Sequence, residues 1–508
     1  MSEPNPDSAP GEARAPGPTL REHLLADGLG VAPPLLEESY EFLGDEDIPY
    51  SNYTSPQRLR AEFERLWPRV WQWACREEHI PEPGDYYVYD IGDLSAIVIR
   101  TPDGTVRAYR NACLHRGTQL KPPGSCGYSP ELRCPFHGWT WSLDGQLVDL
   151  PQAWDFPHVD PGTYQLPEVR VGLWGGFVFV NFDPSAEPLE DYLGVLPDHF
   201  AEWRLEDRYV ETHIRKRLPA NWKASVEAFI EAYHVRETHA GGRPGTEPPT
   251  QYDVFGDNVS RFVHTIGSRN LSTEVGVDEQ ERLERLLRAE LDGAPAPTIP
   301  DGVRARDFYA QHVQEQYAER YGGDFSHLTT SETIDSIEYF LFPNAFLFPG
   351  LSLPMVYRFR PDGMDPDFCT FDLLFLRPRP PEGAVPRPPD PVDLGVDDSY
   401  TLVEGVGRLG AVYDQDTSNL AAQTRGFKAS HKGGQTLANY QEVRIRHLHL
   451  MVESYLNDLP PGCGRVAVRS GLLAGMGISV GPLGELPPTL GRVRDRKLLT
   501  PRKPDLWT

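Results

Sequence analysis

Residues 113–137 read CLHRGTQLKPPGSCGYSPELRCPFH, and the rest of the chain is best read outward from them. Cys113 and His115 stand in a C-x-H pair, eighteen residues follow, and Cys134 and His137 stand in a C-x-x-H pair. Two short clusters that each offer one thiolate and one imidazole can hold metal. Two arrangements use this set. One is a tetrahedral structural zinc. The other is a two-iron, two-sulfur cluster with both cysteines on one iron and both histidines on the other, so that each loop serves both irons.

The flanking residues separate the two. The runs N-x-C-x-H-R-G over Asn111–Gly117 and C-P-F-H-G-W-x-W over Cys134–Trp141 resemble the Rieske domain of the ring-hydroxylating oxygenase large subunits. The resemblance implies that Cys113, His115, Cys134 and His137 hold a Rieske [2Fe–2S] cluster. Respiratory-type Rieske proteins carry a further cysteine in each loop; neither loop has one here, and Cys126 lies between the loops, off that pattern. Zinc stays as the alternative that Cys/His spacing alone permits.

A chain of 508 residues has room for two or three domains. Its formal charge of −25 argues against nucleic acid, whose binders need a basic stripe to replace counterions. The N-terminus has no apolar run to act as a secretory signal, and nowhere do eighteen uncharged apolar residues follow one another. A cytoplasmic protein that does not span the membrane is expected. Six cysteines do not suggest a disulfide framework; beyond Cys113 and Cys134, the remaining four read as reduced thiols.

Taken in order, residues 1–33 are rich in Pro, Ala, Gly and acid, and are expected to form a disordered tail. Residues 34–82 read as a helical segment packed on the catalytic domain. Ser55 is its cap, Pro56 sits in the first turn, and Leu59, Phe63 and Leu66 share one face. From 83 to 183 the runs DYYVYDIG, SAIVIRTPDGTVRAYRN and GFVFVNFD are β-branched and aromatic, and Asp103-Gly104 marks a hairpin. These predict a small antiparallel β domain with the metal loops at its tip. Residues 184–457 mix helices and strands, including one amphipathic helix over 221–240, a charged helix over 277–292 and a long C-terminal helix over 435–458. The pattern alone reads as α+β. The resemblance adds a helix-grip catalytic domain, an antiparallel sheet on a long helix. Residues 458–508 form an extension without an assigned role.

A second metal site is foreshadowed at His234 and His239, with four residues between them on one predicted helix. Either alone reads as an ordinary histidine. With a distant carboxylate they make a 2-His-1-carboxylate triad, which leaves coordination positions on Fe(II) open to oxygen. Glu231, His234 and His239 match the family's [DE]-x-x-H-x4-H motif. In YDQDTSNLAAQTRGFKAS the D-x-x-N and Q-x-x-G pattern resembles the segment that supplies the third ligand and points to Asp416, with Asp414 as competitor. The family's acidic residue at position 231 bridges a cluster histidine of one subunit to an iron-binding histidine of the next. Carried over, the path runs from His137 through Glu231 to His234; a solvent-facing helix glutamate is the plain alternative. Relatives often have Asn where this chain has Ala228.

The resemblance thus implies the terminal oxygenase of a multicomponent system that uses O2 and hydroxylates an aromatic or other apolar substrate, with dioxygenation as the leading reaction. Monooxygenation or oxidative demethylation is the alternative within the family; a Rieske electron carrier with a ligand-binding domain is the alternative outside enzymes. A homotrimer is expected, with or without a small β subunit. The one glycine-rich candidate for nucleotide binding, Gly475-Met-Gly477-Ile-Ser-Val480-Gly481, lacks its last glycine in register, so NAD(P)H is expected to act only through a separate reductase, with or without a ferredoxin.

Overall fold

A computed structural model describes residues 9–15, 17–239, 249–268, 277–291, 294–380 and 385–458. Most of the C-terminal extension, with Cys463 and the glycine-rich stretch, lies outside them. The β-branched runs pair into a seven-stranded antiparallel sheet, in the order Gln72–Arg76, Phe177–Asn181, Glu168–Trp174, Val106–Arg110, Leu94–Arg100, Asp85–Ile91 and Cys126–Tyr128. A smaller sheet of Leu132–Arg133, Thr140–Trp141 and Leu147–Asp149 carries the second metal loop. The Asp103-Gly104 turn closes the hairpin as expected, with Gly104 at φ +85°.

The β domain begins earlier than residue 83. Gln72–Arg76 is buried along its length and pairs with Phe177–Asn181 at the sheet edge. The helix stops at Arg65, just short of Pro68, which cannot continue it, and the tryptophan-rich stretch beyond leads into this strand. The predicted cap is there, with Ser55 Oγ accepting from the Arg58 amide at 3.2 Å.

The N-terminal tail also departs from expectation. Leu20–Leu25 is a helix closed by a Thr19–Glu22 capping box, and Leu20, Leu24 and Leu35 pack into a core with Trp71 and Trp73. Averaged composition hid this short, well-capped apolar pair.

The catalytic domain is a sheet of eight strands in the order Thr250–Phe255, Val259–His264, Ser336–Leu341, Ala345–Leu347, Met355–Pro361, Cys369–Pro378, Arg208–Leu218 and Val392–Leu394. All pairs are antiparallel except the last. One face carries Phe346, Tyr357, Phe359 and Phe371 and packs on the helix Val443–Leu456, of which every residue but Tyr455 is buried. This is the expected helix grip, although the helix starts at Val443 rather than near 435.

Asp372 fastens the two domains. It is fully buried and accepts from Arg358 Nε at 3.0 Å and Arg360 Nε at 2.9 Å. Arg360 also donates to the Asp90 carbonyl at 2.9 Å and Arg358 to the Trp73 carbonyl, both in the β domain. Charge-assisted bonds from one carboxylate thereby reach two backbone positions across the domain boundary.

Candidate metal centres

The two loops at the tip of the β domain have the same backbone plan despite different ligand spacing. In Cys113–Thr118 and Cys134–Trp139 the cysteine amide donates to the carbonyl five residues on, at 2.8 Å in each loop. The glycine four residues on donates back to the cysteine carbonyl, at 2.9 Å for Gly117 and 3.1 Å for Gly138. Both glycines sit at positive φ, +76° and +77°, where a side chain is strained. Each turn folds its cysteine inward and its histidine outward.

Cys113 and Cys134 are buried, His115 is half-buried, and His137 is exposed. The imidazole centroids lie 4.7 Å apart, and His115 stacks on Trp139 at 5.1 Å with the planes 4° apart. His115 Nδ1 is buried without a hydrogen-bond partner, the state of a nitrogen kept for metal. Burial, with the neighbouring Cys134 thiol also acting, raises the Cys113 pKa, so in the absence of metal a proton stays where a cation belongs. Among the described residues, only His234, His239 and Asp416 bring three ligand atoms within 4.8 Å of one another. The four tip residues do not converge in this way on a point for a single zinc; a cluster spreading its ligands over two irons suits them better.

The second site is assembled where a helix breaks. The expected helix over 221–240 is two short ones, Trp222–Glu227 and Val235–Thr238. The Glu231 carboxylate causes the interruption locally: Oε2 accepts from the His234 amide at 3.0 Å and also from the Tyr233 amide. Those donors are lost to a continuous helix. Tyr233, at the break, is 59% exposed. Glu231 itself is 8% exposed rather than solvent-facing. The Tyr252 hydroxyl accepts from the Ala232 amide at 3.1 Å, and Arg444 donates to the Ile230 carbonyl at 3.0 Å and to Glu338 at 2.9 Å. The gripped helix and the sheet thus hold the break in place. Ala228 packs partly buried against the apolar core.

The outer nitrogen of each histidine is occupied. His234 Nδ1 lies 2.7 Å from Glu231 Oε1, and His239 Nδ1 lies 2.9 Å from Gln415 Oε1. Acceptor oxygens there require Nδ1–H tautomers, which leave lone pairs on Nε2. Those Nε2 atoms lie 3.5 Å (His234) and 3.1 Å (His239) from Asp416 Oδ1. Ligand atoms about 2.1 Å from one ion and at right angles to each other are about 3 Å apart, so the spacing suits a facial metal site. Asp416 Oδ1 is buried and, despite these short distances, makes no well-formed hydrogen bond to either imidazole. Burial disfavours charge on His234, yet the Asp416 and Glu231 carboxylates outweigh it and push its pKa up to about 10. Burial likewise opposes charge on Asp416, and the two histidines nevertheless hold its pKa below the usual range.

Asp414, the competitor, is elsewhere: its carboxylate accepts from the Tyr400 amide at 3.1 Å and from the Ser399 hydroxyl. Gln415 was missed by sequence reading. Its only signal was its place beside Asp416 on the helix Arg408–Ser418, which brings the Asp416 carboxylate and the acceptor for His239 Nδ1–H to the site together.

A β domain with two Cys/His loops, joined to a helix-grip domain with a His/His/Asp site, defines a Rieske-type non-haem iron oxygenase subunit. Residues 70–160 match the Rieske [2Fe-2S] domain, and residues 198–458 match the catalytic domain of the ring hydroxylating alpha subunits. The chain belongs to the ring-hydroxylating alpha subunit family. Its cofactors are accordingly a [2Fe–2S] cluster and a mononuclear iron. It is 33% identical over 273 residues to the glycine betaine monooxygenase oxygenase subunit of Chromohalobacter salexigens, covering 50% of this chain and 59% of that one. It is 32% identical over 210 residues to the carnitine monooxygenase oxygenase subunit of Escherichia coli, covering 41% and 55%. The chain therefore spans less than two thirds of the length of these two relatives. The large oxygenase component of salicylate 5-hydroxylase from a Ralstonia species is 31% identical over 307 residues, 54% of this chain and 70% of that one. In fold, the chain is similar to a naphthalene 1,2-dioxygenase bound to phenanthrene, with TM-score 0.59 and 19% identity over 86% of this chain and 98% of the other. A quaternary ammonium Rieske monooxygenase bound to γ-butyrobetaine gives TM-score 0.55 and 19% identity over 80% and 95%. Among the described residues no helix is long and apolar enough to cross a membrane.

Proposed function

We propose that the chain is the terminal oxygenase of a multicomponent system and inserts one atom of O2 into a small organic substrate. The observation that carries the oxygenase reading is the convergence of His234 Nε2, His239 Nε2 and the unbonded Asp416 Oδ1. In this reading those three residues hold the mononuclear iron, and Cys113, His115, Cys134 and His137 hold the cluster. The iron supplies open positions for O2, and the cluster supplies electrons singly. Glu231 fixes the His234 ring and leaves Nε2 to the metal. The exposed His137 edge of one copy meets the Glu231 face of the next in a homotrimer, and a separate reductase, with or without a ferredoxin, feeds the cluster from NAD(P)H.

Monooxygenation is preferred to the dioxygenation first expected because the likeness to the betaine monooxygenase subunit, 33% identity, extends over 273 residues, against 197 for a dioxygenase alpha subunit of similar identity. Dioxygenation of an aromatic ring is the second reading. It is favoured by 32% identity over 197 residues to a chlorobenzene dioxygenase alpha subunit of a Cupriavidus species and by the aromatic sheet face. Turnover with ¹⁸O2 separates them: one labelled atom per product supports monooxygenation, and two overturn it. Iron analysis separates both from an electron carrier. Three irons per chain with a Rieske-type electron paramagnetic resonance signal are expected; two irons that Fe(II) reconstitution does not raise to three would leave only the carrier.

A further inference from the structure

Glu231 belongs to a turn that is closed on itself. Its carboxylate contacts are the amides of Tyr233 and His234 and the His234 ring, all within three residues of it. Such bonds fix the shape of the turn but not its place in the fold, because the whole unit swings without breaking them. What sets its place comes from outside the turn.

Two buried side chains supply it, one on each side of Glu231. Arg444 Nη1 donates to the Ile230 carbonyl at 3.0 Å and pins the peptide group that enters Glu231. The Tyr252 hydroxyl oxygen accepts from the Ala232 amide at 3.1 Å and pins the peptide group that leaves the residue. The Ile230 side chain is fully buried as well, but apolar packing does not set the rotation of a peptide plane, whereas a directed hydrogen bond does. Both pins are themselves held. Tyr252 is 1% exposed, stands opposite Phe262 in its strand pair and packs edge-on against Tyr440, with ring centroids 5.3 Å apart. Arg444, fully buried on the gripped helix, donates from Nε to Ser260 Oγ at 3.0 Å and from Nη1 to Glu338 Oε1 at 2.9 Å. Glu338 is the one carboxylate paired with Arg444 among the described residues, so its charge keeps the guanidinium in place. Neither pin bonds to His234, His239 or Asp416 among the described residues; both bracket Glu231.

We propose that Tyr252, and Arg444 held by Glu338, are positioning residues that set where Glu231 stands for electron transfer. The proposal rests on the reading of Glu231 as the bridge between His137 of one copy and His234 of the next. In that step the reduced cluster gives up one electron, which passes by way of Glu231 to the mononuclear centre, where O2 is the acceptor. A bridge that meets a histidine on each side tolerates little displacement, and misplacement by about 1 Å costs a positioned reaction about 100-fold.

The test takes the full-length, iron-loaded protein with its cluster reduced beforehand, mixes it with O2 and follows cluster reoxidation by absorbance. Tyr252→Phe removes one oxygen and keeps the ring; Glu338→Gln removes the charge that holds Arg444. Both variants should keep three irons per chain and an unchanged Rieske-type electron paramagnetic resonance signal. Both should slow reoxidation about 10- to 100-fold, toward the rate of Glu231→Gln. A merely structural role would lower Tm or iron content and leave the rate per loaded centre unchanged. Glu338→Gln also leaves a buried guanidinium without its counter-charge, so if it does not fold, Tyr252→Phe alone decides. A wild-type rate in either folded variant, with Glu231→Gln slow, overturns the proposal and leaves Glu231 as the bridge. A wild-type rate in Glu231→Gln removes the bridge and the proposal with it. Loss of iron from a folded variant assigns the pins to metal binding and overturns the proposal as well.

Discussion

Replacing Asp372 by Asn tests the account of how the cluster domain is held to the catalytic sheet. The carboxylate is fully buried, Arg358 is 3% exposed, and both Arg358 and Arg360 reach past it to backbone carbonyls of the cluster domain. Asparagine keeps one acceptor oxygen but leaves two guanidiniums without their counter-charge. Breaking a buried pair from one side costs about 3–5 kcal/mol, and the retained oxygen favours the lower end, about 3 kcal/mol. At about 2–4 °C per kcal/mol for domains of this size, Tm should fall by about 6–12 °C. The assay is thermal unfolding followed by cluster absorbance and far-ultraviolet dichroism together, so that the loosening is located. The pH dependence carries the same signature. Burial alone raises the Asp372 pKa, but Arg360 and Arg358 overcome it and hold it well below the usual range. A depressed folded pKa means that this contribution is fully present above the ordinary carboxylate value of about 3.9 and is lost as pH falls below that value and through the folded pKa. The gap between wild type and Asp372→Asn should therefore be constant from pH 5 to 8 and close only in stronger acid. A Tm change under about 2 °C at neutral pH, or a gap that closes already near pH 6, would refute the reasoning.

Three further outcomes follow from the metal centres. Gln415→Leu removes the acceptor of the His239 Nδ1–H and should weaken Fe(II) binding about 10- to 100-fold by titration, while the cluster signal stays unchanged. Glu231→Gln should keep both metals and lose substrate-coupled turnover; normal turnover would remove Glu231 from the electron path. Gly117→Ala and Gly138→Ala place a side chain at nearly the same positive φ. A Cβ at 117 meets nothing within 4 Å, whereas one at 138 comes 3.0 Å from the mobile end of Arg133. If backbone conformation dominates, both should cost a similar amount, about 1–2 kcal/mol by denaturant unfolding, and a much larger penalty at 138 alone would show that space decides.

How much of this was legible beforehand depended on the range of the interaction. The cluster loops could be read directly because two adjacent-residue spacings and two glycines specify a local turn that needs no distant partner. His234 and His239 were legible for the same reason. The connection between them was not: helical spacing of Trp222, Val226, Phe229 and Ile230 describes the apolar face, and nothing in that spacing shows that Glu231 takes the backbone donors of the next turn. The choice between Asp414 and Asp416 was also beyond periodicity. Two residues apart on one helix, they point to different sides, and what lies on each side is decided by the fold; Tyr400 and Ser399 meet one, and the histidines meet the other.

The remaining misses share a cause in buried polar pairs. Ala305–Tyr321 was not anticipated because its inner face holds Arg306, Asp307 and Gln314 where an apolar stripe would have announced it. Asp372 sits between apolar residues on a core strand, and only its partners on the neighbouring strand explain it. Pattern reading scores such residues as solvent-facing, since a lone buried charge is too costly to assume. Pairing reverses that judgement, and pairing is a property of two positions that the sequence keeps far apart. Gln415 is the same case at the site itself: an unremarked polar residue becomes informative only when His239, 176 positions away, supplies the proton it accepts. The candidate ligands are therefore the legible part of such a centre, and the groups that orient them are the part that only the folded chain reveals.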